Sequence, residues 1–256
     1  MSSGELISEM PRAGIARLTL NRPAHRNALT PELRESLRTE LKALMQDDTV
    51  RAVLLTGAQG QFCAGGDLAR LAALPKDQVT ALLRSGHALI RLLIESPKPV
   101  VAAIAGSAAG GGAGLALACD AVLMANSARL VLPFDRIGLV PDYGLAYTLA
   151  RRMGISRAHL LMLSPKPISA AQALAYGLAD QVVPEADLEE TAIELATNFA
   201  RQSPLATAWI KKLTLAQSPP LQSTLDIELA AQAECFRSDE FQAGVAAFLS
   251  KTTLKP

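Results

Sequence analysis

The first regular signal along the chain is an alternation. In "GIARLTLN" (14–21) apolar residues fall at every second position, the period of a half-buried β-strand. The period then becomes helical. Leu33, Leu37, Leu41 and Leu44 of "TPELRESLRTELKALM" recur at three- and four-residue intervals and make one apolar face. Thr30 supplies an N-cap and Pro31 a proline at the first helical position. "RAVLLTG" (51–57) reads as a short buried strand, and a helix is predicted over 78–95. Pro97 and Pro99 stop that helix, since neither has an N–H to continue the ladder, and the strand "VVAAIAG" (100–106) follows. A short helix opens in the glycine run 110–112, and "CDAVLMA" (119–125) reads as a further strand. Strands alternating with helices predict parallel pairing through crossover connections.

Beyond residue 150 the pattern changes, and "ISRAHLLMLS", "SAAQALAYG", "LEETAIELATNFARQ", "LATAWIKKLTLAQ" and 221–236 all read as helices. No long linker, low-complexity tract or repeat interrupts them. A core over 1–190 and a C-terminal helical region over 191–256 are therefore expected, the latter packing on the core or on a neighbouring subunit.

Composition narrows the function. The 256 residues suit one large α/β domain with an appendage, and 50% hydrophobic residues suffice for a real core. A net charge of +1, with basic residues scattered, gives no field directed at nucleic acid or a membrane surface. Cys63, Cys119 and Cys235 are too dispersed for a disulfide framework or a zinc site and read as buried reduced thiols. "MSSGELISEM" carries acids and no apolar run, unlike a signal peptide, and no stretch reaches the roughly 18 apolar residues of a membrane span. A soluble cytoplasmic protein is the expectation.

Two loops share one design. "FCAGGDL" (62–68) and "GSAAGGGAG" (106–114) each follow a predicted strand and are rich in residues with little or no side chain. Glycine costs a helix about 1 kcal/mol relative to alanine, so four of them at one helix start need a reason. N–H groups at a helix start lack intrahelical acceptors and sit at the positive end of its dipole. Two such groups from two loops, aimed at one point, would make an oxyanion hole. Phosphate cradles are excluded by motif: there is no G-x-x-x-x-G-K-[ST], and Gly106 has no glycine at 108 to begin G-x-G-x-x-G.

The segments "LNRPAHRNALT" (20–30), "FCAGGDL" (62–68), "GSAAGGGAGLALACD" (106–120), "RIGLVPDYG" (136–144) and "FQAGVAAFLSK" (241–251) resemble, in this order, the crotonase family of enoyl-CoA hydratases and isomerases. The resemblance implies an α/β fold, a crotonase-like spiral of repeated β-β-α units with a C-terminal helical region. It also implies homotrimers or dimers of trimers, an acyl-CoA thioester substrate, and no metal or redox cofactor, coenzyme A being part of the substrate. Carried over by position, the resemblance implies that the oxyanion donors are the backbone N–H groups of Gly66 and Gly111. CoA contacts are implied at Ala24, His25, Arg26 and Ala28, and at Ala64, Asp67 and Leu68. Phe248 and Lys251 match positions that reach CoA, often across a subunit boundary. The acyl pocket is expected around 70–90 and 134–147, with Phe134 among its substrate-binding residues.

Family hydratases hold and activate one water with two carboxylates. Those positions fall here on Gly114 and Phe134, so both carboxylates are missing. Asp142, in "GLVPDYG", sits where isomerases, dienoyl isomerases and aryl-CoA dehalogenases of the family carry a catalytic aspartate. "RIGLVPD" resembles the ring-epoxide isomerases of phenylacetyl-CoA breakdown in particular. One carboxylate near the enolisable carbons suffices to take a proton from one carbon and return it to another. Burial beside Phe134, Leu139 and Tyr143 would raise its pKa and suit it to that task. The competing reading makes Asp142 a cap for the following helix. Asp135 should point to the opposite face of an extended segment, and Asp67 reads as a loop-stabilising or adenine-side residue. His87 and His159 read as structural, and no G-x-S-x-G elbow is present. The leading expectation is an acyl-CoA isomerase, acting on an enoyl-CoA or a ring-epoxide acyl-CoA, with Asp142 shuttling the proton. An enoyl-CoA hydratase or an acyl-CoA hydrolase/dehalogenase is the alternative within the family. A catalytically silent acyl-CoA-binding protein is the alternative outside enzymes.

Overall fold

In the computed structural model, which describes residues 4–163, 166–216 and 220–252, the alternating segment pairs on both sides. β1 (Leu6–Arg12) and β2 (Ile15–Leu20) form an antiparallel hairpin. α1 (Pro31–Gln46) begins where its cap and proline place it: Thr30 Oγ1 accepts the Leu33 N–H at 3.1 Å. Its leucine face, Leu33, Leu37, Leu41 and Leu44, is buried. β3 (Ala52–Gly57), α2 (Leu68–Ala72), α3 (Val79–Glu95) and β4 (Val100–Ile104) follow. Next come β5 (Ser107–Ala109), α4 (Gly111–Leu117), β6 (Ala121–Ala125) and β7 (Arg129–Val131). The remaining elements are α5 (Leu145–Met153), α6 (Ile155–Leu163), β8 (Ile168–Ser169), α7 (Ala170–Ala175) and β9 (Gln181–Val183), then α8 (Leu188–Ala200), α9 (Pro204–Ala216), α10 (Leu221–Cys235) and α11 (Asp239–Thr252).

The larger sheet has the order β1-β2-β3-β4-β6-β9, and every pairing after the first hairpin is parallel. β5, β7 and β8 form a smaller sheet, which single bridges from Leu29 to Gly66 and from Cys63 to Ala108 extend towards the earlier loops. The turns that begin with β2, β3, β4 and β6 thus each give one strand to the large sheet and one extended step towards the small one before the next helix. This is the expected β-β-α spiral, and its second layer stacks the glycine loops. α8 lies across β2, β3, β4 and β6, so the boundary expected at 190/191 falls inside a helix that covers the sheet.

Sequence patterning missed some pieces. β1 exposes all but Leu6, so its apolar periodicity is weak, and the three-residue β5 lies inside the stretch read as a glycine loop. Cys63 and Cys119 are buried free thiols, each pushed up to about 12 chiefly by desolvation. Cys235 is free but only half-buried, a correction to the expectation for all three. Among the described residues no helix is long and apolar enough to cross a membrane. None of their His, Cys, Asp and Glu side chains form a group of three suited to a metal ion.

Candidate active site

The site is built where three loops are stitched together. Arg26 and Asn27 both take left-handed backbone, which turns the chain sharply after β2. Asn27 is fully buried: its Oδ1 accepts the Arg22 N–H at 2.9 Å, and its Nδ2 donates to the carbonyls of Ala58 (3.0 Å) and Gln61 (2.6 Å). The Ala64 N–H donates to the Arg26 carbonyl and the Leu29 N–H to that of Gly65, fastening the first loop to the second. The Cys63 N–H donates to Ser107 and the Ala109 N–H to Cys63, fastening the second to the third. Gly65 makes the approach possible. At φ +85° its added Cβ would stand 2.6 Å from the Ala109 carbonyl oxygen.

This stitching leaves two donors over. Among the described residues, neither the Gly66 nor the Gly111 N–H has an acceptor; Gly111 opens α4, where intrahelical partners do not exist. Both residues line one cavity of about 340 Å³. Arg26, Ala64, Leu68, Phe134, Asp142 and Phe248 line it as well, so eight of the sequence-derived candidates converge there. Arg26 and Phe248 are exposed and mark its outer end, whereas Phe134 is buried.

The other candidates stand outside the cavity lining. Ala24 and His25 are exposed, and Ala28 is buried beneath the loop with its carbonyl accepting from Arg22 Nη1 at 2.8 Å. Asp67 caps α2 by accepting the Arg70 N–H at 3.4 Å and faces Arg22 at 3.7 Å, a loop-stabilising placement. Lys251 falls in α11, but its side chain lies outside the described residues. Asp135 is exposed, though not as an extended segment would have it: Phe134–Ile137 is a 3₁₀ turn.

Tyr143 explains three glycines. Its ring lies over Gly86 and Gly111, where an added Cβ would come within 3.2 and 3.0 Å of it. At Gly114 the added Cβ would meet the Tyr143 Cβ at 2.4 Å and its carbonyl oxygen at 2.9 Å. The place of a side chain at 114 is therefore filled by the chain one residue beyond Asp142. Burial pushes the Tyr143 phenol above its usual range.

Asp142 does not cap α5 with its side chain; only its carbonyl accepts, from the Leu145 N–H at 3.1 Å. Its Oδ2 accepts from Gln232 Nε2 at 3.2 Å, and its Oδ1 is shielded and has no hydrogen-bond partner among the described residues. Desolvation, reinforced by the Glu228 charge, raises its carboxyl to about 7, against weaker opposition from the Gln232 hydrogen bond and Arg34. Two further cavity residues escaped sequence reasoning as a pair. Glu228 Oε1 lies 2.9 Å from His87 Nε2, across 141 residues of chain, and Glu228 Oε2 accepts the Gly144 N–H at 2.9 Å. Arg34 also reaches the cavity; its Nη1 donates to the Leu82 carbonyl (3.0 Å) and Ser85 Oγ (2.7 Å). The cavity thus offers two amide donors without acceptors among the described residues, and a carboxyl raised to about 7.

Known proteins carry the same plan. The family model for enoyl-CoA hydratase/isomerase matches residues 11–255. The chain is 39% identical over 252 residues to the 1,2-epoxyphenylacetyl-CoA isomerase of Escherichia coli (strain K12), covering 96% of each chain. It is 38% identical over 237 residues to the 2,3-dehydroadipyl-CoA hydratase of the same strain, covering 92% of each. The crystal structure of an enoyl-CoA hydratase from Mycobacterium avium subsp. paratuberculosis K-10 superposes with a TM-score of 0.88 at 29% identity, over 98% of this chain and 97% of that one. With five ordered segments, the spiral and these relatives in agreement, the chain belongs to the enoyl-CoA hydratase/isomerase, or crotonase, family.

Proposed function

We propose that this protein is an acyl-CoA isomerase in which the N–H groups of Gly66 and Gly111 stabilise an enolate and Asp142 moves the proton. The observation that carries the reading is the meeting of three groups at one cavity: two amides without acceptors among the described residues, and a carboxyl raised to about 7. Negative charge developing on a thioester oxygen is what such amides stabilise. A carboxyl with a pKa near neutrality both accepts and returns a proton, as a shift between two carbons requires. Arg26, Ala64, Leu68 and Phe248 receive the CoA portion in this reading, and Phe134 the acyl group. The likeness to the 1,2-epoxyphenylacetyl-CoA isomerase supports a ring-bearing acyl group.

Water addition by the two-carboxylate route is disfavoured because Phe134 is apolar and Tyr143 fills the side-chain space at Gly114. Two observations favour hydration as a second reading: Glu228 gives the cavity another carboxylate beside Asp142, and several relatives are named hydratases. Both Glu228 oxygens are engaged, by His87 and by Gly144, which leaves it poorly placed to hold water.

Exchange of the α- or γ-protons of a β,γ-enoyl thioester in heavy water tests the reading. Asp142→Asn should lose roughly 10²–10⁴ of the exchange rate, the usual worth of a positioned acid/base, with acyl-CoA affinity nearly retained. Exchange at the wild-type rate in that variant would place the base elsewhere. Rapid loss of crotonyl-CoA absorbance would favour hydration, and binding without any turnover would leave a silent acyl-CoA binder.

A further inference from the structure

The acid sits on a segment whose shape is held from outside. Tyr143 (φ +54°) and Gly144 (φ +67°) are consecutive left-handed residues, and the first is not glycine. Such backbone persists only where its surroundings over-determine it. α10 supplies the holding groups. Glu228 and Gln232 are four residues apart and so project from one face of the helix. Gln232 Oε1 accepts the Val140 N–H at 3.1 Å while its Nε2 donates to Asp142 Oδ2 at 3.2 Å. Glu228 Oε2 accepts the Gly144 N–H at 2.9 Å, and Oε1 meets His87 Nε2 of α3 at 2.9 Å.

Both side chains are buried, at 5% and 0% exposure, on a face that also buries Leu221 and Leu225. Leucines would pack there without the desolvation that a carboxylate and an amide must offset. Apart from the Glu228–His87 contact, their hydrogen bonds go to the two ends of Val140–Gly144 and to its acid. The titratable and charged groups that share the cavity with Asp142 come from different elements: Glu228 from α10, His87 from α3 and Arg34 from α1, with Arg26 and Arg136 on loops and the Tyr143 phenol next in the chain. Glu228 opposes ionisation of Asp142, and Arg34 favours it.

From this arrangement, and resting on the reading of Asp142 as the proton carrier, we infer that Glu228 and Gln232 are positioning residues. Together they fix Val140–Gly144 so that the carboxyl faces the cavity, with the Glu228 carboxylate itself held there by His87.

Glu228→Gln separates charge from shape, because the amide still accepts the Gly144 N–H. The rate of proton exchange into a β,γ-enoyl thioester should rise with pH through about 7 in the wild type, as Asp142 ionises to the base form. In Glu228→Gln that acid limb should move to lower pH by roughly 1 unit, the effect of removing a nearby like charge, with KM little changed. Gln232→Leu should lower kcat by about 10²-fold through misplacement of the acid, again with KM little changed. Should Gln232→Leu fail to fold, the Glu228→Gln profile still decides. An acid limb that stays in place, while Asp142→Asn abolishes exchange, overturns the inference and leaves the proposed function standing. Exchange that survives Asp142→Asn overturns both.

Discussion

Gly114→Ala measures how firmly Tyr143 is seated on α4. The new Cβ would stand 2.4 Å from the Tyr143 Cβ, 2.9 Å from its carbonyl oxygen and 3.4 Å from its Cα. Carbon atoms in contact prefer roughly 3.5–4.0 Å, so the methyl group arrives about 1 Å too close. The atoms it meets are backbone and Cβ, so a segment must move rather than a flexible tip. Overpacking of this kind costs about 1–3 kcal/mol, and backbone involvement puts it near the upper end. Alanine returns about 1 kcal/mol through its better helix propensity. The net destabilisation is about 2 kcal/mol, or roughly 4–8 °C in Tm for a chain of this size. Because Tyr143 adjoins Asp142, displacement of about 1 Å should also lower kcat by about 10²-fold at nearly unchanged acyl-CoA affinity. Thermal melting and heavy-water exchange on the same preparation read both effects. A variant that melts and exchanges like the wild type would refute the seating of Tyr143 on this helix. By the same reasoning Gly114→Glu should gain no hydratase activity.

Two other outcomes follow from the geometry. The Asp142 carboxyl, raised to about 7, retains a proton that the unfolded chain releases near the ordinary carboxylate value, so this group's contribution to stability falls as pH rises from about 4 to about 7. Asp142→Asn should therefore melt above the wild type at pH 8, with the gap closing towards pH 4; an equal Tm at both pH values would show that the carboxyl is not held protonated. Mass measurement at micromolar concentration should give three or six chains, since α9 exposes Leu205, Trp209, Ile210 and Leu213 on one helix. A monomer would refute that assembly.

Local chemistry made much of this molecule legible. Thr30, Pro31 and the leucine ladder specify α1 without help from any distant residue. The small-residue loops were visible because the cost of glycine in a helix demands a compensating close approach, and Gly65 and Gly114 both have one. Asp142 stood out through its motif, and burial supplies the raised pKa expected of it. The supporting groups carried no such signal. His87 and Glu228 meet across 141 residues, and no periodicity relates them; on their own helices they look like isolated polar positions. Asn27 was equally silent, because three hydrogen bonds to a turn closed by tertiary contact cannot be read from its neighbours. The residues around Phe134 predict an extended segment, whereas Phe134–Ile137 is a compact 3₁₀ turn packed against α11.

The hydrogen bond between Gln232 and Asp142 also sets an order of events during synthesis. The two residues are separated by 90 positions, and the acid comes first. At roughly 5–20 residues per second, a nascent chain waits roughly 5–18 s between making the acid and making the helix that holds it. Both glycine loops, β4 and β6 already exist by then, so the two amides can be brought together before Asp142 is fixed. With Asp142 as the proposed proton carrier, activity has to wait for α10.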